Sequence, residues 1–122
     1  MMQRARRAGA LGPRLERLTG TDAAACLPKY AGWGRAIARE PAFAPALARA
    51  KALADGHRLA IAALLRRHGE LCGCELQAAL GVSHATVSHH MSVLGKAGLV
   101  SARRQGKWMY YALRPGAFLE IP

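Results

Sequence analysis

From Pro41 onward the apolar positions fall into helical periods. Phe43, Leu47, Ala50, Leu53 and Ala54 recur at the spacing of a first helix, and Pro41 or Pro45 suits its opening turn, where no backbone N–H is needed. Asp55 can cap a second helix that turns Leu59, Ala62, Ala63 and Leu65 inward. That helix carries Arg66, Arg67 and His68 in its last turn and stops at Gly69. A third, short helix begins near Cys72 or Gly73, buries Leu76, Ala79 and Leu80, and ends where Gly81 can take a positive φ. Only Gly81-Val82-Ser83 separate it from a fourth helix, capped by Ser83, with Val87, Met91 and Leu94 as a narrow apolar stripe. His84, Thr86, Ser88, His89 and Ser92 point elsewhere, while His90, beside Met91, reads as a packed core histidine. Gly95 and Gly98 end this helix, and Leu99–Arg104 and Lys107–Leu113 then read as two strands of a hairpin around Gln105-Gly106.

Before Pro41 the punctuation is dense. Gly9, Gly12, Pro13, Gly20, Pro28, Gly32 and Gly34 are spaced closely enough to predict interruption of any long helix and only partial order. The chain therefore divides into a basic N-terminal extension (1–40), a compact domain (41–115) and a short tail (116–122), too short for another substantial helix. The opening MMQRARRAGALGPRLERL is Arg-rich like a transit peptide but lacks the apolar core of a secretory signal, and it reads as a basic arm. At 122 residues a single domain is expected. The 52% hydrophobic content leans on alanine, with only two Trp, three Tyr and two Phe, so the fold class is mainly α with a β-hairpin (α+β), not a β-sandwich. Arg58, Arg66 and Arg67 bracket the most apolar stretch, which excludes a membrane span there.

Charge narrows the function. Eighteen Lys and Arg against seven Asp and Glu give a formal net charge of +11, which calls for a polyanionic partner. Two short helices joined by a three-residue glycine-containing turn, Cys74 to Lys96, have the form of a helix-turn-helix whose second member enters the major groove of double-stranded DNA. On that helix Ser83, His84, Thr86, Ser88 and His89 can donate to or accept from base edges. Arg103, Arg104 and Lys107 around the hairpin turn can neutralise phosphates. A solvated helix face alone would account for the histidines and hydroxyls. It would not account for the absence of any Asp or Glu between Glu75 and Glu120.

Three cysteines, two of them separated by one glycine, do not make a secreted disulfide framework, and the compartment is read as reducing, the cytoplasm. Cys72 and Cys74 fall at a helix N-terminus, where free N–H groups and the positive dipole end favour thiolates. Soft thiolates select thiophilic ions, and three without a fourth protein ligand suit trigonal As(III) or Sb(III) better than tetrahedral zinc. The remaining cysteine, Cys26, is the third candidate ligand, from the same or a partner subunit. Residues i and i+2 of a regular helix point about 200° apart, so one ion holding both Cys72 and Cys74 is expected to distort the first turn. By linkage such an ion weakens any state that needs the turn undistorted, the operator complex included. Packing as small hydrophobes is the bland alternative for these thiols.

The segments KALADGHRLAIAALL, GELCGCELQAAL, GVSHATVSHHMSVLGKAGLV and RRQGKWMYYAL, in this order and spacing, resemble the ArsR/SmtB family of winged-helix metalloregulators over about Ala46 to Pro115. ELCGCEL is similar to the ELCxCDL metal motif of the arsenic-responsive members. The resemblance implies a winged helix-turn-helix and a homodimeric repressor, not an enzyme, that leaves operator DNA when metalloid or metal binds. It implies inducer thiolates at Cys72 and Cys74, a recognition helix over Ser83 to His89 and a wing at Arg103 to Lys107. Three positions depart from the pattern: Gln77 stands where arsenic repressors often place a third cysteine, His89 replaces a basic residue, and the chain stops at Pro122 without the usual dimerisation helix. Dimer contacts are then expected from the first helix and the N-terminal forty residues. Rival inducers are Cd(II), Pb(II) or Zn(II), or thiol oxidation at the same pair. A thiol oxidoreductase is disfavoured, because no CxxC occurs and no strand is expected before the motif.

Overall fold

The computed structural model describes residues 11–117 and divides the chain into two compact units, Met1–Glu40 and Pro41–Pro122. Residues 1–10 of the basic arm and the tail beyond 117 lie outside the described residues, whereas the arm's residues 12–18 are helical, contrary to the reading of an unstructured arm.

In the first unit, α1 (Gly12–Thr19) opens on Pro13 in its first turn and closes on Gly20, whose φ of 69° is open to glycine at no steric cost. The second helix, α2 (Ala23–Arg39), overturns the expectation of broken helices. It runs seventeen residues through Pro28, Gly32 and Gly34. Pro28, the sixth residue of the helix, lacks the N–H that would bond to Ala24 O, and the helix continues past it at that cost; Gly32 and Gly34 cost only helix propensity, about 1 kcal/mol each, which the surrounding alanines and Leu27 tolerate. The Glu16 carboxylate accepts the Ala23 N–H at 2.9 Å and so ties the two helices together.

In the second unit, α3 (Phe43–Leu53) is followed by α4 (Gly56–His68), capped as predicted: Asp55 Oδ1 accepts the Arg58 N–H at 3.0 Å. A two-residue strand, β1 (Leu71–Cys72), leads directly into α5 (Gly73–Leu80). The helix ends at Gly81 with φ 66°, and α6 (His84–Lys96) begins after Ser83, whose Oγ accepts the Thr86 N–H at 3.2 Å. Lys96, not Gly95, is its last residue, and Gly98 takes the positive φ of 78° just beyond.

Strands β2 (Val100–Gln105) and β3 (Trp108–Leu113) pair antiparallel, and β1 joins the far side of β3 to give the order β1-β3-β2. Gln105 stands opposite Trp108, so the two-residue turn is Gly106-Lys107, one residue later than predicted. Gly106 takes φ 61° at the first turn position, where a type II′ turn requires glycine, while Lys107 has no positive φ. At two residues β1 carries no alternation that could announce it in the sequence.

Ile61, Leu65, Leu76, Val87, Met91 and Leu94 form the centre of the core with Leu99 and Val100 behind the hairpin. Two expected core positions lie outside it: Ala79 is exposed, and Leu59 is 57% exposed. Leu59 instead lines an open groove of about 710 Å³ with Leu53, Ala62, Leu99 and Leu113, rimmed by Arg67 and Arg114. No helix among the described residues is long and apolar enough to cross a membrane.

Candidate nucleic-acid interface and cysteine pair

The helix pair α5–α6 is set by its turn and its core. Gly81 and Val82 both donate backbone N–H groups to Gln77 O, at 2.8 and 3.4 Å, which closes α5. Leu76 and Leu94 are wholly buried, and Val87 and Met91 nearly so. Burial of that stripe leaves His84, Ala85, Ser88, His89, Ser92 and Lys96 exposed. His84 Nε2 lies 3.5 Å from Ser88 Oγ, one turn away. Ser83 and Thr86 are partly committed: their hydroxyls lie 3.0 Å apart, and the Ser83 oxygen caps the helix. Of the base-edge candidates, His84, Ser88 and His89 stand exposed on one helix, whereas Ser83 and Thr86 serve the cap as well. His90 is 8% exposed and accepts from Arg58 Nη1 at 3.2 Å.

The wing residues are not equivalent. Arg103 donates Nε–H to Glu70 Oε2 at 2.8 Å, forms a second contact through Nη2 to the other Glu70 oxygen, and donates Nη1–H to Gln105 Oε1 at 2.9 Å. Its guanidinium also lies over the Tyr110 ring, 4.6 Å from the centroid. That hydrogen-bonded pairing holds the Glu70 carboxyl below its ordinary value and raises Arg103. Glu70 precedes the carboxylate-free stretch by only a few residues, and its reach to the wing 33 positions on carries no local signal. Arg104 is exposed with no such partner among the described residues, and the Lys107 ammonium sits 5.3 Å from the Trp108 ring centroid at the tip.

Cys72 and Cys74 lie at the junction of β1 and α5. Cys72 is half-buried and extended (φ −84°, ψ 164°), the cap residue of α5, and Cys74 is exposed in the first turn. Since Cys72 stands outside the helix, the 200° divergence expected of two residues within one regular helix does not apply to the pair. The Glu75 carboxylate accepts the Cys72 N–H at 2.9 Å; that bond, then the Cys72 side chain, holds Glu75 below the ordinary carboxylate range. Contrary to the sequence reading, a strand does precede the motif, and Cys72 is its last residue. Cys26 belongs to the first unit, is 5% exposed, and its Sγ lies 4.0 Å from Ala23 O. All three thiols are free, and the pair's two soft donors fit a thiophilic ion as two of its ligands. Among the described residues the one group of three or more metal-ligating side chains is elsewhere: Asp55, His57 and His90.

Residues 55–102 match the model of the arsR family of bacterial regulatory proteins with a helix-turn-helix. The arsenic resistance transcriptional regulator ArsR1 of Pseudomonas putida is 46% identical over 72 residues, covering 59% of this chain and 53% of its own. The chain thus spans about half the length of that curated relative. An HTH-type transcriptional regulator of Methanocaldococcus jannaschii is 43% identical over 71 residues, 58% of this chain and 80% of that protein. Among solved structures, the homodimeric winged helix-turn-helix DNA-binding domain of a possible ArsR-family regulator from Mycobacterium bovis superposes with a TM-score of 0.55. It is 37% identical and covers 58% of this chain and 65% of the other. The helices α5 and α6 with their β2–β3 wing form a winged helix-turn-helix, and the chain belongs to the arsR family of bacterial regulatory proteins, a family of transcriptional regulators and not of enzymes.

Proposed function

We propose that this protein is a homodimeric transcriptional repressor that binds operator DNA and is released when As(III) or Sb(III) is captured by Cys72 and Cys74. The exposed His84, Ser88 and His89 of α6 read base edges, with Ser83 and Thr86 at its N-terminus. Arg104 and Lys107 meet phosphates, with Arg103 held in reserve by Glu70. The observation that carries the reading is the position of Cys72: last residue of β1, cap of the first helix of the helix-turn-helix, and paired with Tyr110 of the wing strand β3.

An ion bound by both sulfurs constrains an extended residue and the first turn of α5 together. Any adjustment shifts either the start of α5 or the ladder from which the wing extends. A ligand that favours the adjusted state weakens DNA binding by the same factor as DNA weakens the ligand. Moving an operator from almost fully bound to almost fully free takes a preference of about 5 kcal/mol between the two states.

Cys26 is the candidate for a third thiolate, which is otherwise absent. The dimer is supported by α2, on which Tyr30, Trp33 and Ile37 recur at i, i+3 and i+7 and remain exposed at 36, 56 and 43%. A second copy covers that stripe.

The test is fluorescence anisotropy of the reduced protein on its own upstream promoter DNA, titrated with As(III), Sb(III), Cd(II), Pb(II), Zn(II) and peroxide. Release by As(III) or Sb(III), abolished in Cys72→Ser and Cys74→Ser, supports the reading, and Cys26→Ser reports on the third ligand. Release by Cd(II), Pb(II), Zn(II) or peroxide alone reassigns the inducer. DNA that stays bound under every addition overturns the sensor.

A further inference from the structure

Away from the cysteines, a second set of ligand-type side chains converges where α4 meets α6. Asp55 caps α4, His57 is the second residue of that helix, and His90 reaches them from the buried side of α6. One ligand atom from each lies within 4.8 Å of the other two. The His57 and His90 rings are 5.4 Å apart, inclined at 64°. Four-coordinate Zn(II) with bonds of about 2.0–2.1 Å sets neighbouring ligand atoms at roughly 3.3 Å, so the group must close by about 1.5 Å at most. His57 is exposed and free to supply that movement by a rotamer change, while the buried His90 is the fixed point.

We propose that Asp55, His57 and His90 form a nitrogen/oxygen site for a borderline divalent cation of the Zn(II), Co(II) or Ni(II) type, separate from the cysteine pair. The proposal rests on these three side chains and not on the thiolate reading. Two imidazoles and a carboxylate are the donor set that borderline divalent ions accept, usually with water completing the shell. Thiophilic As(III) has no reason to prefer it.

The acceptors already converge on a cation. Arg58 Nη1 donates to His90 Nδ1 at 3.2 Å and lies 4.0 Å from Asp55 Oδ2. Because Nδ1 accepts from the guanidinium, the ring carries its one proton on Nε2. A metal ion therefore takes the Nδ1 lone pair in place of the guanidinium N–H, with no proton to displace from His90. Arg58 keeps a partner when this happens, since its Nε–H donates to Ala52 O at 2.6 Å. Asp55 keeps its capping bond through Oδ1 and offers Oδ2.

The full chain carrying Cys72→Ser and Cys74→Ser is titrated with Co(II) followed by visible absorption, and with Zn(II) by calorimetry and thermal melting. His57→Ala and Asp55→Asn are then added singly. His57 is exposed, and asparagine retains the helix cap, so both variants keep the fold, which circular dichroism checks. The expected result is one ion per chain with a nitrogen/oxygen ligand spectrum free of thiolate-to-cobalt charge transfer. Zn(II) raises the melting temperature, and each variant binds at least about tenfold more weakly, the range seen when metal-site partners are lost. No saturable binding in the thiolate-free protein overturns the site. So does binding that survives both substitutions, or that is lost instead with His68→Ala or His84→Ala. None of these outcomes bears on As(III) capture by Cys72 and Cys74, which is absent from the parent used.

Discussion

Cys72 stands opposite Tyr110 across the β1–β3 ladder, and Arg103 stands opposite the same tyrosine on the other side. The thiol at the head of the helix-turn-helix and the basic residue at the base of the wing tip therefore share one neighbour. If the inducer acts through the sheet, Tyr110→Ala leaves As(III) affinity within about twofold of the parent and reduces the coupling between As(III) and DNA by about 0.5–2 kcal/mol. Paired titrations of As(III) and operator DNA check this. Unchanged coupling would place the transmission in α5 alone.

The wing should divide its work unequally. Arg103 is engaged by Glu70 and Gln105, whereas Arg104 is exposed. Arg104→Ala is expected to lower the slope of log affinity against log salt by about 1.8, the loss of one phosphate contact from each subunit of the dimer at about 0.9 apiece. Arg103→Ala should change it less. Glu70→Gln releases Arg103 and is expected to strengthen binding and steepen the slope.

The Glu70–Arg103 pair also sets a pH signature. Hydrogen bonding to Arg103 lowers Glu70 from the ordinary value of 4.5. A carboxyl depressed on folding contributes stability that is fully present above that ordinary value and disappears as pH falls through its lower folded value. Both partners are well exposed, so the contribution is small. An NMR titration of the Glu70 side chain should give a midpoint below 4.5 that returns toward it in Arg103→Ala.

Trp33→Asp puts a charge into the exposed stripe of α2. The expected result is a shift from dimer to monomer in sedimentation, with operator affinity reduced as one half-site is lost. A dimer that persists at the same concentration would move the interface elsewhere.

Leu76 is wholly buried beneath the helix-turn-helix. Leu76→Ala should cost about 2–5 kcal/mol in denaturant unfolding. Ala79→Ser, on the exposed side of the same helix, should stay within about 0.5 kcal/mol.

What was legible in the sequence was what local chemistry specifies. Asp55 and Ser83 announce their caps, Gly69 and Gly81 their helix ends, and Val87, Met91 and Leu94 the buried stripe of α6. What was not legible depends on partners distant in the chain. Nothing near Arg103 points to Glu70, and two residues are too few for β1 to show a period. Leu59 follows the apolar pattern of α4 yet faces an open groove, because periodicity marks an apolar face without saying what covers it. In α2 a run of good helix formers outweighs the glycines. The convergence of Asp55 and His57 with His90 needed the packing of α4 on α6.

In the proposed mechanism thiol occupancy and operator binding oppose each other through one structural element. The most direct measurement is the As(III) dissociation constant of the reduced protein, determined free and again with saturating operator DNA. DNA is expected to weaken As(III) binding by the same factor by which As(III) weakens DNA binding, and both factors vanish in Cys72→Ser. Equal As(III) affinities with and without DNA would contradict it.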